Sequence, residues 1–184
     1  DAIIHNDLNR NLSLVDHVAD WRRFYAVVNA ASVYMEHVGA IVGQDMAYSE
    51  QNLKWDVAQA RALRALAYFY MARIWGDVPL VTSSYDNGSF PQIGKSPSSS
   101  VLLYAKNELL AAAEELPFQF GSDNNQYYRQ SPSFWQGKLL NKLSVYAILA
   151  HLSAWTGHYA DAETYSAYVL DNYTQIGIGE EQIC

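Results

Sequence analysis

Residues 61–82 read RALRALAYFYMARIWGDVPLVT, a long apolar segment that ends in a Gly-Asp-x-Pro break. The spacing predicts a helix from Ser49 to Trp75, with Ser49 as its N-cap. Leu53, Ala60, Leu63, Ala67, Tyr70 and Ile74 share one stripe, while Ala62, Leu66 and Phe69 lie elsewhere around the wheel. From Ala62 to Trp75 the only charges are Arg64 and Arg73. They fall on opposite sides of an ideal helix, so no continuous polar face exists. A helix apolar all round is a buried one, here the central helix of its layer. Arg73 sits in the last turn, where a cation suits the helix dipole. Gly76 can take a left-handed C-terminal position and Pro79 forbids continuation, leaving Asp77 to Val81 extended.

Outward from this helix the chain is helical again. Ser13 to Val42 repeats Trp21, Phe24, Tyr25, Val28, Met35, Val38 and Val42 at steps of three and four, with Gly43 as a stop. Ser96-Pro97 marks another start, with Pro at the first helical position. Leu102, Ala105, Leu109, Ala112 and Leu116 form its stripe, and Pro117 ends it. Two further helices are expected from about Gly137 to Trp155 and from Tyr159 to Asn172. The expectation is an all-α chain of five helices, read as a single domain over 1–184. Segments 83–97 and 117–136 are longer than ordinary connections, which points to functional loops.

The composition narrows the function. Half of the 184 residues are hydrophobic, with 14 Tyr, 6 Phe and 5 Trp. A net charge of −7 argues against nucleic acid as a partner. The single cysteine, Cys184, allows no internal disulfide. No run approaches the length of a membrane span; the longest, Ala65 to Ala72, is eight residues. The start at Asp1 suggests a mature form or an excised piece, and says nothing about export.

Between Tyr146 and Leu170 the pattern Gly157-x-Tyr159-x-x-Ala162-x-x-Tyr165 is similar to a tetratricopeptide-repeat turn. Gly157 would permit the tight turn, Ala162 a close helix approach, and Tyr159 and Tyr165 would fill the space between. A generic helical hairpin reads the same way. Arg61, Arg64, Ala65, Tyr68, Phe69, Trp75, Gly76, Asp77, Pro79 and Leu80 match in order the hallmark helix and Trp-Gly-Asp-Val-Pro-Leu-Val segment of a known family. Trp21-x-x-Phe24-Tyr25-x-x-Val28-x-Ala30, Glu108-Leu-Leu-x-Ala-Ala-x-Glu115-Leu116-Pro117 and Lys138 to Val169 follow in that family's order. On these residues the chain resembles the SusD/RagB family of outer-membrane nutrient-binding lipoproteins from about Trp21 to Asn172.

The resemblance implies a tetratricopeptide-like α/α superhelix, SusD-like, with the apolar helix sandwiched inside. Arg61 and Arg64 would then be buried and need acceptors. Asp77 is the nearest candidate, so Arg61, Arg64 and Asp77 read as a structural network. It also implies an oligosaccharide or other nutrient as ligand and a SusC-like, TonB-dependent outer-membrane transporter as partner. The place implied is the extracellular face of the outer membrane, lipid-anchored in a longer protein. An intracellular tetratricopeptide adaptor for peptides and an all-α glycoside hydrolase are the alternatives from other classes.

No catalytic arrangement stands out: there is no His-Glu-x-x-His, Gly-x-Ser-x-Gly or phosphate-cradling loop. No cofactor is expected. His151 and His158 straddle the Gly157 turn and lack metal-site spacing. Asp123-Asn124-Asn125 lacks the Gly and Glu of a calcium loop and reads as a turn. Asn11, Asn87 and Asn172 fit a glycosylation pattern that carries no meaning in a bacterial protein. The loop aromatics are the open case. Flat rings beside Asn, Gln and Ser suit sugars, although the same rings can pin long loops to the helices. Tyr127, Tyr128 and Trp135 are the candidate ligand groups, joined through the resemblance by Asn9, Arg10 and Asn11. Because further loops would come from beyond this chain, it alone is expected to bind glycans weakly or not at all.

Overall fold

The structure, a computed structural model, describes residues 20–85, 92–121 and 125–177. Helix α1 runs Arg22–His37 and continues as a 3₁₀ turn, Val38–Ile41. Helix α2 is Glu50–Trp75. Two short strands follow, β1 Val78–Pro79 and β2 Lys95–Ser96, then α3 Ser98–Glu115. A single helical turn, α4 Pro132–Trp135, precedes α5 Lys142–Trp155 and α6 Tyr159–Asn172. A 3₁₀ turn, Tyr173–Ile176, closes the described chain. The helices pack in sequence, α1 on α2, α2 on α3, α3 on α5 and α5 on α6. This is the all-α, tetratricopeptide-like array expected from the sequence.

Helix α2 starts where Ser49 Oγ accepts the Asn52 N–H at 3.2 Å. Its alanines at 58, 62, 65 and 72 are buried and let α1 and α3 approach closely, while Tyr68, Phe69 and Met71 fill the gaps. Each of those large side chains contributes roughly 1.5–3 kcal/mol by leaving water. Burial is not complete around the wheel: Leu63 and Tyr70 face outward, 45% and 42% exposed. The helix stops at Gly76, whose φ of 71° and ψ of −116° suit a residue without Cβ.

The segment after Gly76 folds back along α2, and the tyrosines and arginines of the opening stretch hold it there. Val78 pairs with Ser96 and Pro79 with Lys95, antiparallel. Tyr68 Oη donates to the Val81 carbonyl at 2.7 Å and accepts the Val81 N–H at 2.8 Å. Tyr25 Oη donates to the Pro79 carbonyl at 2.6 Å. Arg64 donates to the Thr82 carbonyl at 3.0 Å and to Ser32 Oγ on α1 at 2.9 Å. Its other terminal nitrogen meets Glu108 Oε2 on α3 at 2.7 Å. Arg61, half-buried, reaches Glu108 Oε1 at 3.4 Å. Three helices and the return segment therefore meet at one guanidinium.

The acceptor for these arginines is Glu108, not Asp77 as expected. Asp77 Oδ1 instead accepts the Ser98 N–H at 2.8 Å. Pro97 occupies the N-cap position of α3 and carries no capping oxygen, so α3 starts one residue later than expected. Asp77, brought close by the β1–β2 pairing, supplies the missing acceptor from a distant point in the chain.

At the far end Gly157 has φ 78°. The His158 N–H reaches the Ser153 carbonyl at 2.9 Å and the Gly157 N–H the Ala154 carbonyl at 3.2 Å. This paired closure is a Schellman motif, which needs the left-handed residue that Gly157 provides. The space between α5 and α6 is filled differently from the expectation. Tyr146 packs on Tyr165 and Tyr168, with centroids 5.8 and 4.1 Å apart. Tyr159 points to solvent, 73% exposed.

Candidate functional site

The segment 117–136 is where the sequence and the structure differ most. It contains α4, and α5 begins at Lys142 rather than near Gly137. Asn141 Oδ1 accepts the Ser144 N–H at 2.8 Å, which sets the start. Residues 137–141 thus remain outside the helix and wall a cavity instead. Gly121, at φ 87°, brings Trp135 and the Gln130 carbonyl against the backbone; a Cβ there would lie 2.9 Å from Trp135 Cδ1. Gln59 on α2 clamps Leu140, donating to its carbonyl and accepting its N–H at 3.1 Å.

Two adjoining cavities result, sharing Gln59, Leu63 and Leu139. The larger, about 640 Å³, is walled by Trp135, Phe118, Phe120 and Pro132, with Gln119, Gln136, Lys138 and Asn141 among its polar groups. Trp135 is half-buried, and its indole N–H is buried with no acceptor among the described residues. It stands edge-on to Tyr128 at 5.2 Å and to Phe134 at 5.0 Å. Gln119 Nε2 already donates to the Gln175 carbonyl at 2.7 Å. Lys138 Nζ lies 3.3 Å from the centre of the Phe134 ring.

The smaller cavity, about 400 Å³, lies between α1 and α2 and has Asp56 at its floor. Three phenols donate to this carboxylate: Tyr34 at 3.0 Å and Tyr48 at 2.8 Å to Oδ2, and Tyr128 to Oδ1. Burial raises the Tyr34 phenol to about 12, and the neighbouring carboxylate adds to the shift. Tyr48 and Tyr128 are raised by burial first, then by their hydrogen bonds to Asp56. Tyr127 is raised by burial and by the negative charges of Asp56 and Asp45.

The sequence candidates divide between these surroundings. Tyr127 is 44% exposed and lines the smaller cavity. Tyr128 is 5% exposed, its hydroxyl committed to Asp56. The Asn125 side chain accepts both the Tyr127 and Tyr128 N–H groups and donates to Asn52 at 2.9 Å. Tyr128 therefore anchors the loop to α2 and offers no open ring face. Trp135 belongs to the larger cavity. Asn9, Arg10 and Asn11 lie outside the described residues. Sequence reasoning passed over Asp56, Tyr34 and Gln59. Asp56 meets partners 22 residues before it and 72 after it, separations with no local signature.

No family model matches the chain. A crystal structure of a SusD superfamily protein from Bacteroides thetaiotaomicron is 58% identical, with a TM-score of 0.87. The match covers 95% of this chain and 38% of that one. The SusD-like protein P2 of Formosa agariphila is 26% identical over 155 residues, 84% of this chain and 27% of the relative. A solved laminarin-binding SusD-like protein shares the fold at a TM-score of 0.61 and 23% identity, over 79% of this chain and 28% of its own. The chain thus spans well under half the length of the relatives it matches.

Proposed function

The chain belongs to the SusD-like proteins, and from that premise we propose that it is the helical part of a non-enzymatic carbohydrate-binding protein. In the longer protein it would capture an oligosaccharide and pass it to a TonB-dependent transporter, from a lipid-anchored position on the outer membrane. The observation that carries the reading is the cavity around Trp135. An indole face beside amide side chains matches a sugar's C–H faces and hydroxyls. Binding here needs no bond cleavage: stacking and hydrogen bonds act together and reverse together. Each contact is small and ordering opposes it, so this part of the protein binds weakly by itself.

Calorimetric titration with an oligosaccharide panel tests the reading, laminarin oligosaccharides first because a SusD-like neighbour carries that name. Weak, saturable heats that diminish in Trp135→Ala support it, with no new reducing ends after long incubation. Turnover abolished by one carboxylate substitution overturns the non-enzymatic assignment. Binding unchanged in Trp135→Ala overturns the placement.

A further inference from the structure

The smaller cavity holds a carboxylate whose charge nothing in the described chain balances. Asp56 is 7% exposed, and among the described residues no Lys, Arg or His forms an ion pair with it. Basic side chains pair elsewhere, the buried Arg64 on Glu108 and the half-buried Lys106 on Asp161. Three phenols fill hydrogen-bonding positions on Asp56 but bring no positive charge. A carboxylate offers about four such positions, so one remains. The cavity above it has aromatic walls, with Tyr34 and Tyr127 39% and 44% exposed, and apolar sides at Val27 and Leu63. The exposed Asp45 carboxylate adds to the negative field at Tyr127. A buried anion beneath open aromatic faces is the arrangement that receives an ammonium group, through a charge-assisted hydrogen bond below and ring faces beside.

We propose that this cavity binds an organic ammonium group, and that its occupant is the free amine of an amino sugar. The choice of a sugar rests on the carbohydrate-binding reading; the charge rests on Asp56 and the tyrosines. The adjoining Trp135 cavity would take the neutral remainder of the same oligosaccharide.

The test is nuclear magnetic resonance titration of the chain with glucosamine, glucose and N-acetylglucosamine in mildly acidic buffer, where the amine is protonated. Glucosamine is expected to move the Tyr34 and Tyr127 resonances with an affinity roughly tenfold above that of the two neutral sugars. Asp56→Asn should erase that difference. Should that variant fail to fold, Tyr127→Ala keeps the test open, because its ring is 44% exposed and its removal leaves the Asp56 hydrogen bonds in place. A loss of roughly two- to fivefold for glucosamine is expected there. Equal affinities for all three sugars would overturn the ammonium site while leaving carbohydrate binding intact. Glucosamine without effect on these tyrosines, while oligosaccharides still move Trp135, would do the same. Silence at both cavities would remove both readings.

Discussion

Replacing Glu108 by leucine leaves Arg64 with a buried charge and only neutral acceptors. The Arg64 side chain is 8% exposed and Glu108 is 14% exposed, so water cannot take over the lost contact. Removing one member of a buried pair costs roughly 3–5 kcal/mol. Two hydrogen bonds survive, to Ser32 Oγ and the Thr82 carbonyl, which places the expectation at the lower end, about 3 kcal/mol. Arg61 adds little, because its contact is 3.4 Å long and its side chain 36% exposed. The assay is urea denaturation followed by circular dichroism. In thermal scans the same loss lowers the midpoint by roughly 6–12 °C. The double variant Arg64→Met/Glu108→Leu removes both charges and should recover much of the loss, giving a clear coupling energy. Glu108→Leu within about 0.5 kcal/mol of the parent would refute the reasoning. So would strict additivity in the double variant, since the pair would then not be one unit.

Other expectations follow from single contacts. Gly157→Val should destabilise the α5–α6 closure by roughly 1–3 kcal/mol. Among the described residues its Cβ would meet no atom within 4 Å beyond its chain neighbours, so the cost is the backbone conformation, and an unchanged melting temperature would show that no strain exists there. Asp77→Ala should cost about 1 kcal/mol and loosen the first turn of α3, measurable as faster amide exchange at Ser98; unchanged exchange there would dismiss its capping role. Burial raises the Tyr34 and Tyr68 phenols to about 12, above the 10.0 of a free phenol. Their contribution to stability is complete below pH 10 and is lost as pH rises toward 12. The ring resonances of Tyr34 and Tyr68 should therefore titrate late and together with loss of helix; early titration of these two rings with helix intact would contradict this.

What the sequence disclosed, and what it withheld, follows the range of each interaction. The helices were legible because their signals are local: Ser49 caps its own helix, and Gly76 and Gly157 mark turns within a residue or two. The identity of the arginines' partner was not, because Glu108 lies 44 residues from Arg64 and only the packing of α3 on α2 brings them together. Asp77 looked nearer in sequence, but the β1–β2 pairing turns it toward Ser98. The start of α5 was misplaced because Gly137 was read as its beginning, whereas its φ of 74° lies outside the helical region and Gln59 holds Leu140 from another helix. Trp135 and Tyr127 stood out as loop aromatics, yet only burial separates them from Tyr128, whose ring is spent on the loop itself. The Asp56 site was invisible for the same reason, assembled from three separate segments around one buried carboxylate.

The central claim is that sugar is bound at the Trp135 cavity and left intact. The direct measurement is the indole N–H resonance of Trp135 during titration with an oligosaccharide from the panel. The account predicts a saturable shift at Trp135, a much smaller one at Trp75 in the core, and recovery of the sugar unchanged. Saturable binding with Trp135 unmoved, or sugar recovered as cleaved products, would contradict it.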